Sequence, residues 1–156
     1  MSGVGNGPHA KLAELGLTLP EVAPPVANYV PAVQSGQHVF VSGQLPMAEG
    51  KLLATGKVGA GVSAEQAKDL AQRCALNALA AVDALVGLEN LVKVVRVTGF
   101  VASAPGFTGQ PGVINGASDL FGAVFGEAGR HARSAVGVSE LPLDAPVEIE
   151  LTVEVA

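Results

Sequence analysis

The chain has 156 residues, a net charge of −5, and 49% hydrophobic against 15% charged residues. This length favours one domain with a substantial core, and the composition excludes disorder over most of the chain. The nine Lys and Arg residues are scattered, so the sequence lacks the basic stripe of a nucleic-acid-binding protein. So few charges would leave a monomer with exposed apolar surface, which favours self-association.

The single cysteine, Cys74, excludes an intramolecular disulfide and is typical of a reducing compartment. No apolar stretch reaches the roughly 20 residues that span a membrane, and no basic segment leads into an apolar one as in a secretion signal. We therefore predict a cytoplasmic protein with no membrane interaction.

Residues 1–23 are predicted to be an N-terminal extension, and residues 24–156 a single domain. The extension starts with a glycine-rich stretch, residues 1–8, which we expect to fray. Residues 9–17 allow a short helix with Leu12 and Leu15 on one side.

A β-hairpin follows a proline-rich, extended segment. Residues 29–34 and 38–42 are β-prone runs, and Gly36 between them allows the positive φ of a tight turn. A short third strand is predicted at residues 51–54.

The strongest helix signal covers residues 64–86, which contain neither Gly nor Pro. Ser63 and Gln66 form a capping box at its start, and Gly87 ends it. Its predicted buried face comprises Leu70, Cys74, Asn77, Ala81 and Leu85, with Ala67, Ala71 and Ala78 beside it. Cys74 is therefore interpreted as a core residue and not as a reactive thiol.

The second half of the chain predicts three more strands and one more helix. A near-continuous apolar strand covers residues 90–103, and a glycine-rich loop (104–112) leads to a helix at residues 113–127. One strand begins near Arg133, and the last, residues 146–155, alternates strictly between apolar and polar residues. The order β-β-β-α-β-α-β-β, with both main helices on one face of the sheet, predicts an α+β sandwich.

Most familiar catalytic motifs are absent from this sequence. The three histidines show no metal-ligand spacing, so no metal site is predicted. The glycines of residues 56–61 lack the following Lys-Ser/Thr of a phosphate-binding loop, and Ser42 lacks the surroundings of a nucleophile elbow.

Arg133 and the carboxylates of the last strand remain as candidate functional residues. With period 2, Arg133 shares a face with the small residues Ala135 and Gly137. This pattern allows two interpretations: an edge strand with a solvated cation, or a pocket in which Arg133 binds an anion with its rigid fork of donors.

Four further segments occur in order within residues 24–155: Val39–Pro46 (VFVSGQLP), the Val-Ile-Asn that ends at Asn115, Ala132-Arg133-Ser134, and Val147-Glu148-Ile149. In sequence and in order they resemble the RidA/YjgF family of reactive intermediate deaminases. Ala135 stands where members of the family commonly have Cys.

The resemblance implies a chorismate-mutase-like mixed sheet and a homotrimer with clefts between its subunits. It also implies hydrolytic deamination of reactive 2-imino and 2-enamino acids to 2-oxo acids and ammonia, without metal or organic cofactor. By this resemblance Arg133 holds the substrate carboxylate, and Glu148 positions or activates the attacking water, aided by the backbone carbonyl of Ala135. The remaining positions implied to surround the substrate are Tyr29, Ser42, Gly43, Asn115 and Ala135, the last through its carbonyl oxygen.

Two other functions stay open at this stage. A trimer that binds small carboxylate metabolites without turnover, as a sensor, would need Arg133 equally. An RNA-cleaving or translation-inhibiting protein is disfavoured by the acidic charge and the scarcity of aromatic residues.

Overall fold

The computed structural model describes residues 7–156, so most of the stretch predicted to fray lies outside the described residues. The helices and strands in chain order are α1 (Pro8–Glu14), β1 (Ala32–Ser35), β2 (His38–Gln44), β3 (Met47–Ala48), β4 (Lys51–Leu52), α2 (Ala64–Val86), β5 (Leu91–Ala102), α3 (Gln110–Phe125), β6 (Ala132–Val138) and β7 (Val147–Val155).

Five strands form one mixed sheet in the order β1-β2-β7-β5-β6. The pair β5–β6 is parallel, with α3 as its crossover, and the other neighbouring strands are antiparallel. Helices α2 and α3 pack against each other and against one face of the sheet. The predicted α+β architecture, with both main helices on one face, is confirmed.

The hairpin and the third strand need correction. β1 begins at Ala32 and not at residue 29, because Pro31 has no N–H for the strand ladder. The predicted third strand is shorter, Lys51–Leu52, and lies outside the main sheet. It pairs with β3, which the sequence analysis missed, in a separate two-stranded ribbon.

Helix α2 has the predicted bounds and cap. The Ser63 side chain accepts a hydrogen bond from the Gln66 N–H at 3.0 Å, and Gly87 follows the last helical residue. Leu85 is 45% exposed, contrary to prediction, and Leu88 after the turn at Gly87 is buried instead. Within residues 7–156, no helix is long and apolar enough to cross a membrane.

Two further predictions of local structure were wrong. Leu15 was predicted to lie beside Leu12 on one side of the helix. α1 ends at Glu14, so helical spacing no longer aligns Leu15 with the buried Leu12, and Leu15 is exposed. Helix α3 starts at Gln110, three residues before the predicted position. Pro111 fits its first turn, where no intrahelical N–H bond is needed.

The two faces of the sheet differ in what covers them. The inward residues of β7 (Val147, Ile149, Leu151, Val153 and Val155) are buried on the helix side, which confirms the predicted alternation. The opposite face has no second layer within residues 7–156. Its apolar side chains include Phe40, which is 46% exposed, and Val136, which is 43% exposed. We call this surface the open face.

Cys74 lies in the core of α2, as predicted. It is fully buried, and its thiol is 3.9 Å from the Val147 carbonyl oxygen. Burial raises the pKa of the Cys74 thiol well above its ordinary value, and the charge of Glu148 adds to this rise. The reactive thiolate is therefore suppressed.

Candidate active site

A small cleft at the start of β7 brings three of the predicted residues together. Tyr29, Gly43 and Glu148 line this cleft of about 60 Å³, with the proline-rich segment at residues 23–26 and Pro142 as further walls. This volume is well below the roughly 300–1,000 Å³ of typical small-molecule pockets, so the cleft of one chain is too small by itself for an organic substrate.

A bulge in β2 shapes this cleft. The register of β2 against β7 shifts between Val41 and Gln44, so Ser42 and Gly43 lie outside the regular ladder. The Ser42 N–H donates to the Pro31 carbonyl at 2.9 Å, and its hydroxyl donates to the Val30 carbonyl at 2.6 Å. Ser42 thereby ties the segment that carries Tyr29 to the bulge. Ser42 was predicted to border the cleft, and the structure shows that it supports the segment that forms the cleft.

Gly43 provides the space that the Glu148 carboxylate occupies. A Cβ on residue 43 would overlap a carboxylate oxygen of Glu148 and lie 2.8 Å from its Cδ. No other residue type leaves room for the carboxylate in this position, which accounts for the glycine at residue 43.

Glu148 is half-buried on the open face, opposite Phe100 of β5. Burial raises the pKa of the Glu148 carboxyl above its ordinary value, and the neighbouring charge of Glu150 raises it further. A carboxylate with a raised pKa is a stronger base toward water, as general-base catalysis requires.

Substituting Gly43→Ala is expected to displace the Glu148 carboxylate and to leave the fold intact, because the group that must move is the end of a flexible side chain. A displacement of about 1 Å at a reacting group can cost about 100-fold in rate, and we expect a loss of that order in kcat/KM for the proposed deamination.

Gly61→Ala is the matched control, since no heavy atom lies within 4 Å of the added Cβ. Both variants should unfold at the wild-type temperature in thermal melts. A Gly43→Ala protein with wild-type kcat/KM would show that the position of Glu148 over Gly43 is irrelevant to the reaction.

Arg133 is half-buried and held by the first half of α3. Its Nη1 donates to Asn115 Oδ1 at 2.8 Å and to Ser118 Oγ at 3.1 Å, and its Nη2 donates to the Pro111 carbonyl at 3.1 Å. Of its five N–H donors, the Nε–H and one Nη2–H have no acceptor within residues 7–156. The guanidinium is thus fixed in orientation and keeps donors for one anionic ligand.

Ser118 and His131 extend this network, and sequence reasoning missed both roles. The His131 Nδ1 lies 2.6 Å from the Gly129 carbonyl oxygen, which can only accept, so Nδ1 carries the proton. The His131 Nε2 lies 2.8 Å from the Ser118 hydroxyl oxygen, which also accepts from Arg133. The i, i+4, i+7 spacing of Pro111, Asn115 and Ser118 on α3 is the sequence signal for this cradle.

The small residues beside Arg133 serve the packing of α3. Arg133, Ala135 and Gly137 pair with Val97, Gly99 and Val101 of β5, and so they share the helix-covered face, as the period-2 pattern predicted. A Cβ on Gly137 would lie 2.8 Å from Gln110 Nε2 and 2.9 Å from Ser103 Oγ. Gly137 therefore admits the start of α3, and half-buried Ala135 packs against the core.

The loop before α3 is anchored to its surroundings. The Ala104 N–H donates to the Val58 carbonyl at 2.9 Å, and Gln110 Nε2 donates to the Phe107 carbonyl at 2.9 Å. Since α3 begins at Gln110, the connection predicted for residues 104–112 is shorter than expected.

One chain does not bring Arg133 and Glu148 together. Arg133 pairs with Val97 on the helix-covered face of the sheet, and Glu148 pairs with Phe100 on the open face. The predicted site residues thus form two half-sites: Tyr29, Ser42, Gly43 and Glu148 on one side, and Asn115, Arg133 and Ala135 on the other.

One group of potential metal ligands lies away from both half-sites. His9 Nε2, the Asp83 carboxylate and the Glu89 carboxylate each place an atom within 4.8 Å of the others. His9 is 3.1 Å from Asp83, which also accepts the Leu88 N–H at 2.8 Å. Hydrogen bonds between α1 and the end of α2 account for this arrangement.

The sheet with two helices on one face, together with the cleft at Glu148, defines a protein of the YjgF-like α+β class. The sequence matches the family described as "YjgF/chorismate mutase-like, putative endoribonuclease" over residues 9–155. The chain belongs to this family, as its resemblance to RidA/YjgF proteins predicted.

Two relatives and two solved structures document the similarity. The chain is 46% identical over 147 residues to Protein TCP17 of Trypanosoma cruzi, covering 93% of this chain and 92% of that protein. It is 32% identical over 135 residues to a 2-iminobutanoate/2-iminopropanoate deaminase of Dermatophagoides farinae, covering 86% and 91%.

Among structures, it is similar to the protein Atu1372, of unknown function, from Agrobacterium tumefaciens, with a TM-score of 0.91, 47% identity, and coverage of 99% and 96%. The YjgF gene product from E. coli matches with a TM-score of 0.59, 26% identity, and coverage of 88% and 97%.

Proposed function

We propose that this protein hydrolyses reactive 2-imino and 2-enamino acids to 2-oxo acids and ammonia, at sites completed by a second copy of the chain. The observation that carries the proposal is the half-buried Glu148 carboxylate, which has a raised pKa and lies over Gly43 in a cleft with Tyr29. The 32% identity to an iminobutanoate deaminase supports this reaction class.

The need for a second copy follows from the two half-sites. Arg133 and Glu148 lie on opposite faces of one sheet, and the cleft of one chain, at about 60 Å³, is well below the size of typical small-molecule pockets. The open face carries exposed Phe40 and Val136, which a neighbouring copy would cover. A closed homotrimer, as the family resemblance implies, would pair each Glu148 cleft with the Arg133 of a neighbour.

In the proposed reaction, Arg133 binds the substrate carboxylate and Asn115 keeps the guanidinium in place. Glu148 of the neighbouring copy accepts a proton from water while the water oxygen bonds to the iminium carbon, and the C=N π electrons move to nitrogen. Glu148 then returns the proton to the nitrogen of the tetrahedral adduct. The C–N bond breaks, ammonia leaves, and the adduct hydroxyl passes its proton to the Glu148 carboxylate as the carbonyl forms. Glu148 then gives this proton to the departing ammonia, which leaves as ammonium. Positioning and proton transfer suffice because the iminium carbon is already electrophilic.

A subunit-mixing experiment tests the shared site. Wild-type protein is expected to speed the conversion of freshly generated 2-iminobutanoate to 2-oxobutanoate, whereas Arg133→Ala and Glu148→Gln proteins are each expected to be inactive. When the two variants are co-expressed and assemble at random, about a quarter of the inter-subunit sites contain one intact Arg133 and one intact Glu148. We therefore expect about a quarter of the wild-type activity.

Tagging one variant and isolating mixed oligomers by affinity capture controls for assembly. If mixed oligomers form and remain inactive, the two residues do not act in one shared site. If wild-type protein has no activity on 2-iminobutanoate or 2-aminoacrylate, the deaminase assignment is wrong.

A protein that binds small carboxylates without turnover is the second candidate. It is favoured by the rigid Arg133, whose remaining donors would serve any carboxylate. It predicts an increase in melting temperature with 2-oxo acids that depends on Arg133, together with no ammonia release. RNA cleavage is not proposed, because the net charge of −5 opposes binding to a polyanion.

A further inference from the structure

A second cavity in the described residues lies outside both half-sites. It has a volume of about 520 Å³ and is lined by the extended segment at residues 18–24, the β3–β4 ribbon, and Arg73 and Asn77 of α2. Pockets of about 300–1,000 Å³ are typical of small-molecule sites. The cavity and the Glu148 cleft are neighbours, because both are lined by Ala23, Pro24 and Met47.

The wall around Met47 is held in place by side chains of α2. Asn77 is 1% exposed, and its amide nitrogen donates to the Leu45 carbonyl at 3.0 Å and to the Met47 carbonyl at 3.1 Å. Arg73 Nε donates to the same Met47 carbonyl at 2.7 Å. The cavity is therefore preformed, and the plane of the Arg73 guanidinium is restrained.

Arg73 differs from the other half-buried cations of the described chain. Lys57 forms an ion pair with Glu140 at 2.8 Å, and Arg133 donates to three acceptors around α3. Arg73 has a single backbone carbonyl as partner, and within residues 7–156 its Nη1 and Nη2 have no acceptor. Four charge-bearing N–H donors thus remain for a ligand at the edge of a preformed cavity.

The walls restrict the chemistry of that ligand. Leu19, Val22, Met47 and other apolar side chains supply most of the lining, and they favour an apolar body. Glu21 and Glu49 lie at the exposed rim and disfavour a second negative charge. A planar carboxylate matches the Arg fork with one charge, whereas a phosphate dianion would be repelled more strongly.

We propose that this cavity is a second ligand site, which binds a small monocarboxylate with an apolar body, its carboxylate on Nη1 and Nη2 of Arg73. The site does not depend on the proposed reaction, because Arg133 and Glu148 take no part in it. Met47 forms the wall between the site and the Glu148 cleft.

Methionine-methyl NMR provides a direct test, since the chain contains two methionines and Met47→Leu identifies the signal. Titration with hexanoate is expected to shift the Met47 methyl resonance saturably in the wild type and in Arg133→Gln. In Arg73→Gln the dissociation constant is expected to rise about 10-fold or more, because hydrogen bonds to a charged group contribute about 1.5–3 kcal/mol. Hexanol and inorganic phosphate should bind at least about 10-fold more weakly than hexanoate, by the same estimate.

Ala48→Trp is the second variant, because Ala48 lines the cavity and does not line the Glu148 cleft. The larger side chain is expected to fill the cavity and to abolish the hexanoate shift. Equal hexanoate affinity in the wild type, Arg73→Gln and Ala48→Trp would overturn the proposal, as would no shift in the wild type. Loss of the shift in Arg133→Gln alone would assign the binding to the Arg133 half-site. A phosphate affinity equal to that of hexanoate would overturn the assigned ligand class.

Discussion

Replacing Arg133 with lysine is expected to lower kcat/KM for 2-iminobutanoate by about 30-fold to several thousand-fold, since breaking a buried charge-assisted pair costs about 2–5 kcal/mol. Lysine keeps the charge, but it cannot reproduce the planar fork that Pro111, Asn115 and Ser118 orient. Because the carboxylate is bound in both ground and transition states, we expect most of the loss to appear as a higher KM.

Arg130→Lys is the matched control for this substitution. Arg130 lies three residues before Arg133, and its exposed ion pair with Glu127 has an N–O distance of 3.6 Å. Exposed pairs contribute little, so Arg130→Lys should retain wild-type kinetics and stability. If Arg130→Lys and Arg133→Lys reduce kcat/KM equally, the effect does not depend on the position of the arginine and Arg133 has no specific role.

Replacing Glu148 with glutamine is expected to lower kcat by about 100- to 10,000-fold, the usual contribution of a positioned general base. Glutamine fills the same space over Gly43, so the shape of the cleft is preserved. In the wild type, the ionised carboxylate is the active form, so kcat falls as the pH decreases through the Glu148 pKa. Since that pKa is raised, the fall begins at a higher pH than for an ordinary glutamate, and Glu148→Gln should lose this pH dependence.

The neighbouring Glu150 provides a control, because its substitution shifts the pH dependence of kcat and leaves the general base Glu148 in place. Its charge contributes to the raised pKa of Glu148, so Glu150→Gln should move the acid limb of kcat to lower pH and leave the plateau near the wild-type value. An unchanged acid limb in both Glu150→Gln and Glu148→Gln would show that another group governs the reaction.

Unfolding measurements separate the catalytic role of Glu148 from a structural one. A raised pKa means that the folded chain binds the Glu148 proton more tightly than the unfolded chain does. The free energy of unfolding of the wild type therefore decreases as the pH rises through the pKa of the folded state. Glu148→Gln cannot ionise and does not show this decrease. Its free energy of unfolding near pH 7 should therefore equal or exceed that of the wild type, and the difference should vanish below about pH 4.

Sequence patterns alone predicted the elements that depend on near neighbours in the chain. The alternation of Val147 to Val155, the cap at Ser63 and the shared face of Arg133, Ala135 and Gly137 were all found as expected. These features follow from the periods of strands and helices and from the geometry of one turn, which a local sequence encodes.

The arrangement of the candidate site depended on strand order, and this is a property of distant contacts. Parallel pairing with β5 turns Arg133 toward α3, and antiparallel pairing of β7 with the same strand turns Glu148 to the open face. The bulge at Ser42 and Gly43 and the network through Ser118 and His131 likewise arise where elements meet. The sequence thus determined the chemistry of each half-site. Only the tertiary structure placed the halves on opposite faces, because register and strand pairing are decided by packing between segments far apart in the chain.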